Sequence, residues 1–130
     1  MTHASGSFEV TVAPLSAADK ADSTALGRLS LDKQFHGDLD GTSKGEMMTA
    51  STEANGSAAY VALERVTGTL HGQTGTFILL HAGTMTRDSR ELSVTVVPGS
   101  GTEQLAGLAG KMEINIVDKD HFYEFEYTLQ

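Results

Sequence analysis

Apolar and polar residues alternate with a period of two along most of the chain, the pattern of strands that bury one face. Phe8, Val10 and Val12 alternate with Glu9 and Thr11 as far as Pro14, which lacks an amide donor and ends the run. Leu29, Leu31 and Phe35 alternate with Ser30, Asp32 and Gln34 ahead of the turn residues Gly37-Asp38, which predicts a second strand. A third spans about Lys44 to Thr52, and the polar segment Ser16 to Thr24 reads as an exposed loop.

Three hairpins follow, and each short loop fixes which residues face each other. A loop at Ala54-Asn55-Gly56 sets Tyr60 against Ala50, Ala62 against Met48 and Glu64 against Glu46. A two-residue turn at His71-Gly72 sets Ala62 against His81, Glu64 against Leu79 and Val66 against Phe77. A loop over Thr86 to Ser89 sets His81 against Val94 and Leu79 against Val96. All three choices put Glu46, Met48, Tyr60, Glu64, Phe77, Leu79, His81, Leu92 and Val94 on one face, which reads as the interior.

Ser100-Gly101-Thr102-Glu103 has capping-box spacing with Gly110 as a stop, so one or two helical turns are predicted near Thr102 to Leu108. Met112, Ile114 and Ile116 then resume the alternation, and a loop over Asp118 to His121 sets them against Tyr127, Phe125 and Tyr123. About eight strands with one coherent apolar face and no helix able to cover it predict an all-β fold. The antiparallel sheet closes into a barrel, with one short helix, as a single domain over residues 1–130.

The net charge of −8 repels phosphate backbones and anionic lipid, so neither nucleic acid nor a membrane is an expected partner. The absence of Cys excludes disulfides, a thiolate nucleophile and Cys-ligated zinc. The stretch Met1 to Ser7 has neither the basic start nor the apolar core of an export signal, and a cytoplasmic location is the expectation. The five histidines lack the paired spacing of metal ligands, and neither a metal nor a cofactor is expected. Asn55-Gly56-Ser57 fits a glycosylation pattern but is better read as a tight turn.

The stretches Tyr60-Val61-Ala62-Leu63-Glu64-Arg65-Val66-Thr67-Gly68, Gly75-Thr76-Phe77-Ile78-Leu79-Leu80-His81 and Val97-Pro98-Gly99-Ser100-Gly101-Thr102-Glu103-Gln104-Leu105-Ala106-Gly107-Leu108 carry a family likeness. With them the chain resembles, over nearly its whole length, a bacterial family of small barrels classed as domain of unknown function 3224 and grouped structurally with the allene oxide cyclase barrels. The resemblance implies a closed barrel able to hold an apolar small molecule without a cofactor. It implies no activity and no catalytic residue.

Candidate chemistry rests on three interior residues. Glu46 and Glu64, facing each other across neighbouring strands, form a like-charged pair, and His81 lies diagonal to Glu64 as a proton shuttle or ligand anchor. Burial and the Glu46 charge are expected to raise the Glu64 pKa, so that Glu64→Gln leaves the fold intact near neutrality. Tyr60, Met48, Phe77, Leu79, Val94, Tyr123 and Tyr127 are the candidate ligand-binding wall. These residues suit a small-molecule barrel performing cofactor-independent proton transfer as an isomerase, cyclase or lyase. The alternatives are a non-catalytic carrier of an apolar ligand and, third, a structural oligomer with a filled core. A connected space of roughly 300 Å³ or more beside the carboxylates separates the first two from the third. The outward Val61, Leu63, Ile78 and Leu80 are apolar for a solvent-facing surface and predict a homodimer or larger homo-oligomer.

Overall fold

In the computed structural model, which describes residues 1–15, 26–52 and 57–130, alternation becomes a continuous wall. The strands are β1 (Thr2–Pro14), β2 (Leu26–Gly37), β3 (Leu39–Ser51), β4 (Ala58–Leu70), β5 (Gln73–Met85), β6 (Arg90–Val96), β7 (Ala109–Val117) and β8 (Asp120–Thr128). Each pairs antiparallel with the next and β8 returns to β1, so the sheet is an eight-stranded closed barrel. Closure removes the two free edges an open sheet would present. The loops read at Ser16 to Thr24 and Ala54-Asn55-Gly56 lie outside the described residues.

Two of the predicted registers hold. His71 (φ 47°) and Gly72 (φ 82°) occupy the left-handed region that a two-residue hairpin turn requires. Around that turn Ala62 faces His81, Glu64 faces Leu79 and Val66 faces Phe77. Across the next hairpin His81 faces Val94 and Leu79 faces Val96.

The β3–β4 register is one residue away from the prediction: Ser51 faces Ala58, Tyr60 faces Thr49, Ala62 faces Met47 and Glu64 faces Gly45. Thr52 donates its amide to the Ser57 carbonyl, so an even rather than odd number of residues connects the strands. Because side chains alternate, that single step turns every β3 residue to the other face. Ser43, Gly45 and Met47 point inward, while Glu46 and Met48 point out. The β7–β8 register differs by two, with Met112 facing Phe125 and Ile114 facing Tyr123, because the turn is tight at Asp118-Lys119 and Val117 pairs with Asp120. A shift of two keeps each residue on its face.

The predicted helix is one 3₁₀ turn, Glu103–Leu105. Its capping residues serve the sheet instead: Thr102 Oγ1 accepts the Thr76 amide and Ser100 Oγ accepts the Ile78 amide. The connection thus extends the edge of β5 where β6 stops, and Leu105 and Leu108 are buried against the core. Between β6 and β7 the ladder is short, with only Val94–Met112 and Thr95–Lys111 paired.

The interior is unequal along its axis. One end is filled by Phe35, Leu39, Leu70, Phe77, Phe125 and Tyr127, with Phe77 stacked on Phe125 and Phe35 edge-on to Tyr123. The other end is open. Among the described residues, no helix is long and apolar enough to cross a membrane.

Candidate functional site

Four neighbouring strands each turn one polar side chain inward at the level where the packed half ends. Lys33 comes from β2, Ser43 from β3, Glu64 from β4 and His81 from β5, and all four are buried. The Glu64 side chain has 0% exposure and Lys33 has 4%. Lys33 Nζ donates to Glu64 Oε1 at 2.9 Å, His81 Nε2 lies 2.6 Å from the same oxygen, and Ser43 donates to Oε2 at 2.6 Å. The Lys33 ammonium also stands over the rings of Phe8, at 4.7 Å, and Phe35, at 5.6 Å. Among the described residues no buried side-chain polar atom lacks a partner.

Burial alone raises the Glu64 pKa, but the His81 hydrogen bond, the Lys33 and His81 charges and the Ser43 hydroxyl together outweigh it and lower it to about 2. The expected elevation is thereby reversed. Its second premise fails as well, since Glu46 is exposed on the outer face in an ion pair with Arg28. Glu64 is therefore a carboxylate, which only accepts hydrogen bonds, so the proton shared with His81 sits on Nε2. In the neutral ring Nδ1 is then the acceptor, and the Tyr60 hydroxyl lies 3.3 Å from it. Tyr60, His81 and Glu64 form a chain of three.

Above this cluster the open end holds a cavity of about 480 Å³. Lys33, His81 and Tyr60 lie at its floor, and Val10, Leu31, Met47, Leu92 and Ile114 are among its walls. Gly83 makes room for the Tyr60 ring: a Cβ there would sit 2.8 Å from Tyr60 Cε1. Towards the mouth the cavity reaches the slot where β6 and β7 part, so that Glu91 and Asn115, on the outward alternation, also border it.

Of the residues singled out from sequence, Glu64, His81 and Tyr60 come together. Glu46 and Met48 do not, and Met48 is 47% exposed. Phe77, Leu79, Val94, Tyr123 and Tyr127 are buried in the core rather than along the cavity. The Tyr123 hydroxyl accepts the Leu39 amide and donates to the His36 carbonyl, tying down the β2–β3 turn, and the Tyr127 hydroxyl bonds His71 Nδ1. Sequence reasoning missed Lys33 and Ser43. Lys33 was within reach: it stands two residues from both Leu31 and Phe35, on the inward alternation of β2, where a lysine demands a buried acid. Among the described residues no three His, Asp or Glu converge to hold a metal ion.

No curated protein matches the chain. A crystal structure at 1.84 Å resolution of a protein with unknown function from the DUF3224 family of Shewanella oneidensis MR-1 is similar over 100% of this chain and 98% of its own. The two share 44% sequence identity, with a TM-score of 0.93. Residues 4–127 match the family described as "Protein of unknown function (DUF3224)". The chain, an eight-stranded barrel with a buried Lys-Glu-His cluster below an open cavity, belongs to the DUF3224 family.

Proposed function

We propose that the open half of the barrel binds a small, largely apolar molecule and moves a proton at its polar end, as a cofactor-independent isomerase, cyclase or lyase of the cytoplasm. The observation that carries this reading is the position of Tyr60 and His81 at the floor of an otherwise largely apolar space of about 480 Å³. Pockets for small ligands occupy roughly 300–1,000 Å³, and a filled structural core has no such space.

A proton leaving the ligand reaches the Tyr60 oxygen as Tyr60 passes its own hydrogen to His81 Nδ1. The imidazolium so formed is stabilised by the Glu64 carboxylate. Reverse transfer to a different atom of the ligand completes an isomerisation that consumes nothing else. Burial first, then the Glu64 charge, raises the Tyr60 pKa, so the two transfers run together rather than through a free phenolate. Glu64 in this reading is a positioning residue, with no exposed atom to meet a substrate.

The test is incubation with small enolisable ketones in deuterium oxide. Deuterium wash-in by the wild type that falls by about a hundredfold in His81→Gln, with binding retained, supports proton transfer. The competing reading is a carrier whose floor anchors the ligand's polar end, favoured by the complete pairing of Glu64. Binding without wash-in selects the carrier.

A further inference from the structure

The ionisable groups that border the cavity are, with one exception, basic or phenolic: Lys33 and His81 at the floor, Tyr60 beside them, Arg90 and His121 around them. The exception is Glu91, on the outward alternation of β6 between Arg90 and Leu92. In a chain with 17 acidic and 9 basic residues, the border of the cavity thus holds no excess of acid. At the floor the Lys33 ammonium is already paired with the Glu64 carboxylate. Arg90 is unbalanced: among the described residues it makes no ion pair with an acid. It nevertheless stands within electrostatic reach of the Tyr60 hydroxyl, whose pKa burial and Glu64 raise and the Arg90 guanidinium lowers.

We infer that the ligand is a small organic oxyanion on an apolar body, its charged oxygen at the Arg90 guanidinium and its body along Val10, Leu31, Met47, Leu92 and Ile114. This rests on the proposed binding of an apolar molecule in the cavity and names its chemical class. An oxyanion supplies the countercharge that Arg90 lacks among the described residues. A neutral ligand leaves the guanidinium to water. Because Arg90 is exposed at the mouth, the gain is that of a hydrated ion pair, modest and salt-sensitive.

Two fluorescent probes with one ring system test it: anilinonaphthalene sulfonate, an anion, and phenylnaphthylamine, the same body without the sulfonate. The sulfonate is expected to bind the wild type about tenfold more tightly, an advantage that Arg90→Gln or high salt removes while leaving the neutral probe unchanged. Leu92→Trp, which fills the mouth, weakens both. Equal affinities for the wild type, or equal losses in Arg90→Gln, overturn the oxyanion and leave the cavity reading standing. If neither probe binds, or if Leu92→Trp spares both, the cavity reading itself falls and the inference goes with it.

Discussion

A carboxylate removed from water beside an ammonium, an imidazole and a hydroxyl has its proton affinity set by whichever influence is larger. At Glu64 the partners win, and a pKa of about 2 against an ordinary 4.5 corresponds to about 3 kcal/mol of stability at neutral pH. The folded value lies below the unfolded one, so this contribution is complete above pH 4.5 and is lost as pH falls towards about 2. Glu64→Gln removes it and strands the Lys33 ammonium in the interior. We expect a loss of about 3–5 kcal/mol at neutral pH, narrowing in acid as the wild type gives up its own share. Urea unfolding of both proteins from neutrality down to about pH 3 measures the gap. Equal stability at neutrality contradicts an ionised, paired Glu64. The sequence pointed to Glu64 and His81 but assigned Glu64 the wrong partner, because a like-charged neighbour was inferred from an assumed loop and the ammonium on β2 was passed over.

Among the elements, legibility followed the connections. The β4–β5 hairpin turns on two residues whose chemistry fixes the turn, so Tyr60, Glu64 and His81 were placed on the correct face. The longer β3–β4 connection has no such constraint, and a miscount of one sent Glu46 and Met48 inward. Thr102 and Ser100 were legible as capping residues but not in what they cap, since a side chain that accepts an amide serves a strand edge as readily as a helix start. Gly83 is where an element and the site meet. An alanine there pushes the Tyr60 ring into the cavity, towards space rather than against packed core. Gly83→Ala is expected to change stability by no more than about 1 kcal/mol yet to weaken binding of both naphthalene probes. Thermal melts with fluorescence titrations separate the two effects, and unchanged titrations would show that Tyr60 does not border the occupied space.

For the whole molecule, closure was legible from eight alternating segments and the lack of a covering helix, whereas the division into a packed half and an open half was not. That division depends on where large side chains stack along the axis, which a period of two does not record. The outer face also carries information: Leu63 lies beside Leu80 across β4 and β5, with Val61 and Met48 adjoining, and all four are exposed. We expect this contiguous apolar patch to join two copies of the chain, with Leu63→Lys yielding a monomer of unchanged barrel structure. Light scattering that finds the wild type monomeric at high micromolar concentration rules it out.

The two-pair ladder between β6 and β7 has a kinetic consequence. Every other junction of the wall is held by at least seven register pairs, so the least costly local opening is expected here. Native-state hydrogen exchange should then find amides of β6 and β7 exchanging well before those of β4 and β5, through a fluctuation that leaves the packed half intact. Because this slot runs into the cavity, the same fluctuation widens the path a bound molecule takes to solvent. Ligand residence time would then be governed by the breathing of one short ladder, and a cross-link spanning β6 and β7 would slow release and association together while leaving their ratio, the affinity, nearly unchanged.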